Sequence, residues 1–129
     1  MKKSTREINV RDKKYVYVIN QKYHQGACEI TLSISLKELK NITCSFHFCT
    51  WDDPISGSPL LVGVHLKKIT SGDIEGFNLH YPGIVKQFVL YGLENGWNGS
   101  NRIEFNDGLE ILSNMGYDVL WLKPGHIQH

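Results

Sequence analysis

Two histidines and a cysteine are the residues best placed by type and spacing to do chemistry. His47, Cys49 and His65 all stand at odd positions in stretches where apolar residues alternate with small polar ones. On neighbouring strands they would project from one sheet face. Two imidazoles and a thiolate can hold zinc with an open position. Structural zinc sites use tighter spacing, and Cys49 falls where its strand is ending, so no metal is expected. Cys49 with His47 or His65 also has the composition of a nucleophile and its base. No third group stands at a recognisable spacing to orient that base, so no catalytic residue is assigned. Asp52 and Asp53 are adjacent and flanked by Trp51 and Pro54, which describes a turn. Adjacent carboxylates in an extended chain point apart and make a poor acid–base pair. The run Gly96-Trp97-Asn98-Gly99-Ser100-Asn101 is rich enough in glycine to cradle an anion. It follows a helical pattern instead of a strand and lacks the lysine of a P-loop, so it reads as a plain loop. No cofactor is expected.

The chain that must position these groups has 129 residues, one domain by size. Hydrophobic residues make up 41% and charged residues 21%, which excludes a disordered chain. Fourteen basic and 13 acidic residues give a net charge of +1, so nucleic acid is not an expected partner. No apolar run approaches a membrane span, and no apolar stretch follows the basic start as in a signal peptide. Three cysteines at unrelated spacings do not form a disulfide framework. These features together predict a cytoplasmic protein. Residues 1–14 carry six basic groups against two acidic ones and read as a basic arm. Residues 15–123 read as a single domain and 124–129 as a tail.

Period-2 alternation dominates the first half of the domain. Tyr15–Ile19 is a β-favouring run of aromatic and branched residues, and Asn20–Gly26 reads as a turn. Cys28, Ile30, Leu32, Ile34 and Leu36 then alternate with Glu29, Thr31, Ser33 and Ser35. Nine residues at this period define a strand with one buried side. After a short polar connection, Ile42, Cys44, Phe46 and Phe48 repeat the pattern. Leu60, Val62, Val64 and Leu66 suggest another strand, and Tyr117–Leu122 a last one. Between them the period changes. Pro82 suits a first helical turn, and Ile84, Val85, Phe88, Val89 and Leu93 form one helical stripe stopped at Gly96. Asn106 or Asp107 caps a second, shorter helix at about 107–115.

Strands first and helices later give an α+β fold. The expected form is an antiparallel sheet of four to five strands, with the helices at about 82–95 and 107–115 packed on one face. The other face then carries Thr31, Ser33, Ser35, Thr43, Ser45, His47 and His65, small and almost uncharged. Exposed sheet faces ordinarily carry long charged side chains that guard against association. A small neutral face lets another surface approach closely at little desolvation cost. It is therefore the candidate binding face, with a homodimer as the expected assembly and another protein as a further partner. Trp51 and Trp97 are candidate pocket-rim residues, although Trp97 is better read as folding back on the helix end. The alternative function is a small enzyme or small-molecule binder with a pocket between sheet and helices.

The segment Asn78-Leu79-His80-Tyr81-Pro82, and a helix ending Tyr91-Gly92-Leu93-Glu94-Asn95-Gly96-Trp97 after several strands, resemble a class of small uncharacterised bacterial proteins. These are similar to products of integron gene cassettes and of toxin–immunity neighbourhoods. The proline usual soon after the Gly-Trp pair is replaced here by Asn98-Gly99. The resemblance implies an α+β fold and an adaptor or immunity-like role. It implies no catalytic residue.

Overall fold

Three long strands form the centre of the molecule in a computed structural model that describes residues 5–24, 26–51 and 58–124. They are β2 (Lys13–His24), β3 (Ala27–Leu36) and β4 (Cys44–Trp51), antiparallel to one another. The alternation in β3 and β4 works as its period requires. Ile30, Leu32, Ile34, Cys44 and Phe46 are completely buried, and the residues between them face the other way. The helix α2 (Pro82–Glu94) lies on that buried side, its Phe88 ring edge-on to Phe46 at 4.8 Å and to Phe48 at 5.5 Å. Gly92 permits the close approach, since a Cβ there would stand 2.9 Å from the Cys44 sulfur. The helix begins at its proline and ends with Gly96 at φ 112°, where the Trp97 amide donates to the Gly92 carbonyl. The shorter helix α3 (Gly108–Asn114) packs on the same side, with Asp107 accepting from the Glu110 amide as its cap. The fold is α+β, as expected.

Four features depart from the sequence reading. The first is β1 (Arg6–Val10), which pairs with β2 as an edge strand inside the segment read as an arm. Ile8 and Val10 are its core-facing residues, and Val10 is buried. The turn between β1 and β2 has positive φ at Arg11 (51°) and Asp12 (65°), the twist that suits a two-residue hairpin.

The second departure is β2 itself, which continues through residues 20–24, where a turn was expected. The third is the sheet, which is mixed. A strand of three residues, β7 (Ile103–Phe105), joins β4 in parallel, giving the order β1-β2-β3-β4-β7.

The fourth departure removes one strand from the main sheet and shortens another. Leu60 and its neighbours form a helical turn, α1 (Pro59–Val62), because Pro59 cannot donate to a ladder and Ser58 caps the turn by accepting from the Leu60 amide. Gly63, at φ 105°, ends it. Only Val64–Lys67 is extended (β5), and it pairs with β6 (Ile74–Phe77) in a separate two-stranded sheet. Val64, expected beneath the helices of the main sheet, is half-buried in this second sheet. The expected last strand at 117–122 is reduced to a bridge from Tyr117 to Lys68 and a 3-10 turn at Leu120–Leu122. Tyr117, Val119 and Leu122 still enter the core, at a spacing that an extended strand would split between two faces.

Candidate functional site

The register of the central ladders sets which residues meet on the side turned away from the helices. Ser33 lies opposite Ser45, and Thr31 opposite His47. Across the other ladder, Val16 lies opposite Ser35, Val18 opposite Ser33, and Asn20 opposite Thr31. Glu104 of β7 lies beside Ser45. The open face thus reads Val16-Ser35, Val18-Ser33-Ser45 and Asn20-Thr31-His47 in successive rows across the strands. Thr43 flanks the first row, just ahead of β4. Five residues expected to share this face (Thr31, Ser33, Ser35, Ser45 and His47) are brought together on it.

Side-chain hydrogen bonds tie the rows. The hydroxyls of Ser33 and Ser45 are 3.4 Å apart. Thr31 Oγ1 is 3.2 Å from His47 Nδ1, and His47 Nε2 is 3.2 Å from Glu104 Oε1. An ionised carboxylate only accepts, so Nε2 carries the ring proton toward Glu104. In the neutral ring Nδ1 is then a lone pair, and the Thr31 hydroxyl donates to it. Ser35 and Ser45 are buried even though the helices pack on the opposite side, while Thr31, Ser33 and His47 are half-buried. Small side chains here lie in a valley between larger ones. One depression of about 120 Å³ is bordered by Val16, Val18, Ser33, Ser35, Lys40 and Thr43. A second, of about 220 Å³, lies beside His47 and is bordered by Glu29, Thr31, Cys49 and Asn106.

Charged side chains ring this neutral middle. Glu7 faces across to Val16 and pairs with Lys37 at 2.7 Å, which holds its carboxyl below the usual range. Lys14 stands at the same end, Lys22 lies opposite Glu29 at the other end, and Glu104 occupies the β7 margin.

The order hydroxyl, imidazole, carboxylate in Thr31, His47 and Glu104 matches that of a nucleophile triad. Catalysis by such a triad also needs N–H groups aimed at the developing oxyanion. Thr31 and His47 lie inside paired strands, where backbone N–H groups are committed to the ladders. The thiols are no better placed as nucleophiles. Burial pushes the Cys44 thiol up to about 12, and burial with the Glu29 charge raises that of Cys49. Among the described residues no group of three His, Cys, Asp or Glu side chains is arranged to hold a metal.

Two site expectations are corrected. His65 sits on β5, in the separate small sheet, and is not part of the open face; the short helix at Pro59–Val62 carries the chain out of the main sheet before it. Trp97 and Trp51 do not form a rim together. Trp97 is 2% exposed, packs against Tyr15 with ring centroids 5.7 Å apart, and belongs to the core beside Cys44. Its Nε1 is buried with no hydrogen-bond partner among the described residues. Trp51 lies at the far end of β4, seven residues or about 23 Å of strand away. It donates from Nε1 to the Trp121 carbonyl at 3.0 Å. Asp52 and Asp53 lie outside the described residues.

Sequence reasoning missed Val16, Val18, Asn20 and Glu104. Tyr15–Ile19 has no polar residue to mark its outer side, so only strand pairing assigns Val16 and Val18 to the open face. No family model, no curated protein and no solved structure matches this chain. Among the described residues no helix is long and apolar enough to cross a membrane.

Proposed function

We propose that this chain is an interaction protein that pairs with a second copy of itself through the open face of its five-stranded sheet. The observation that carries the reading is the composition of that face: Val, Ser, Thr and Asn in the middle, charge only at the margin. Removing such a middle from water costs little, because Ser33 bonds Ser45, Thr31 bonds His47, and it holds no unpaired charge.

The margin favours a second copy as the occupant. A two-fold interface sets one patch against itself, so the patch must be self-complementary. Lys14, Lys37 and Lys40 gather around Glu7 at one end of the face, while Glu29 with Lys22 lies at the other end and Glu104 at the β7 margin. The margin therefore carries both signs, whereas a margin of one sign would suit an oppositely charged partner. Five strands are about 19 Å wide, and six or seven residues along them about 23 Å long. Two such faces together bury about 900 Å², below the roughly 1,000 Å² of a stable specific interface and in the range of weak, transient ones. Association is therefore concentration-dependent and not obligate. An adaptor or immunity-like role fits a chain whose chemistry is that of binding.

Sedimentation over a range of concentrations tests the reading. The expected result is a monomer–dimer equilibrium abolished by Ser33→Glu or Ser45→Arg, with the circular dichroism spectrum unchanged. A wild-type chain that is monomeric throughout, or a dimer indifferent to both substitutions, would falsify it.

A further inference from the structure

The Thr31–His47–Glu104 row lies within the face through which self-association is proposed, and the inference that follows rests on that reading. With the ring neutral, every hydrogen in the row has an acceptor inside the chain: Nε2–H on Glu104 Oε1, and the Thr31 hydroxyl on Nδ1. Such a row can be covered without leaving a donor unmet. Protonating the ring adds one hydrogen and no acceptor. Nδ1–H must then donate to Thr31 Oγ1, and the threonine hydroxyl hydrogen turns outward. In the monomer, water takes it. Under a partner surface that water is displaced, at the cost of the hydrogen bond it made.

We infer that His47 makes the self-association pH-dependent: the dimer forms with the ring neutral and loosens as the ring gains a proton. Imidazole is the side chain that changes charge between about pH 5 and pH 8. The charged and titratable groups around the ring are Glu104 from β7, Glu29 from β3, Cys49 on β4 itself and Lys22 of β2 opposite Glu29. The two carboxylates attract an imidazolium in both monomer and dimer; covering the row strengthens that attraction and also strips the ring of water, and the two changes oppose each other. The water at Thr31 is what differs between the two states. The dimer binds fewer protons than two monomers. Association is therefore strongest above the monomer's histidine titration, weakens as pH falls through it, and levels off below the dimer's own titration. Each copy contributes a row, so a tenfold effect per copy weakens the dimer about a hundredfold.

The test is the dimer dissociation constant of the full chain at about pH 8 and about pH 5.5, for wild type and for His47→Gln, whose amide can hydrogen-bond but does not titrate. The expected result is a weakening of about thirtyfold in wild type, most of the limiting effect, and less than threefold in the variant. A nuclear magnetic resonance titration of the wild-type imidazoles supplies a readout that needs no substitution. The His47 midpoint should fall by about one pH unit when protein concentration is raised from below to above the dissociation constant. A monomer at every pH overturns the association itself. A dimer of unchanged or tighter affinity at low pH, or a His47 midpoint independent of concentration, overturns the pH dependence alone.

Discussion

The two faces of the central sheet come from the same strands and obey different rules. Toward the helices, Ile30, Leu32, Ile34 and Phe46 are wholly buried, and the fit is tight enough that Gly92 has no room for a methyl group beside Cys44. Toward solvent, Thr31, Ser33 and His47 make hydrogen bonds that are long and shared between hydroxyls and a ring. The covered face supplies the free energy of folding through buried apolar area. The open face contributes little of that energy. Its composition is the basis of the proposed self-association. Alternation at period 2 lets one strand serve both ends, because consecutive side chains answer to different surroundings.

That division can be broken by substitution on either side. Phe46→Ala should cost about 3–5 kcal/mol in urea or guanidinium unfolding, since it opens a cavity beneath Phe88, Phe105 and Tyr91. A loss below about 1 kcal/mol would mean that the helices do not depend on this face. Cys44 and Cys49 provide a gentler comparison on one strand. Cys44, buried with its thiol near 12, should resist iodoacetamide until the protein unfolds. Cys49 is exposed and should react in the folded state. Its thiol is raised, so thiolate appears only as pH climbs above the ordinary thiol range, and the rate at pH 7 should fall short of a free cysteine's. Equal reactivity of the two thiols in the native protein would contradict the assignment of faces. The smallest effect belongs to Ser33→Ala, expected to change unfolding free energy by no more than about 0.5 kcal/mol. Its hydroxyl bonds that of the buried Ser45 at 3.4 Å, a contact too long to carry much free energy. A large loss there would place the open face among the determinants of the fold.

How much was legible in the sequence differs by element. The strands β3 and β4 were readable because nine and seven residues of strict alternation leave little freedom of assignment. The helix α2 was readable from its proline start, its apolar stripe and its glycine stop, and α3 from Asp107 and Gly116. In contrast, β7 has three residues, too few for a period to show, and its place in the sheet depends on pairing with Cys44–Phe46 from far along the chain. The segment 60–66 shows the opposite hazard. Alternating Leu60, Val62, Val64 and Leu66 looked like a strand, and the Ser58-Pro59 start of a helical turn prevailed. The open face was half legible: its β3 and β4 residues followed from parity, while Val16, Val18 and Asn20 did not. The bond from His47 to Glu104 joins residues 57 apart, with no sequence signal connecting them.

The sequence by itself determined that a half-buried sheet would carry helices on one side and small neutral residues on the other, because side-chain period and hydrophobic burial are local in origin. Only the tertiary structure decided which strands lie side by side. Strand pairing joins backbone groups that every residue possesses, so the choice of neighbours rests on how the whole core packs. That choice moved His65 away from the open face and brought Thr31, His47 and Glu104 into one hydrogen-bonded row.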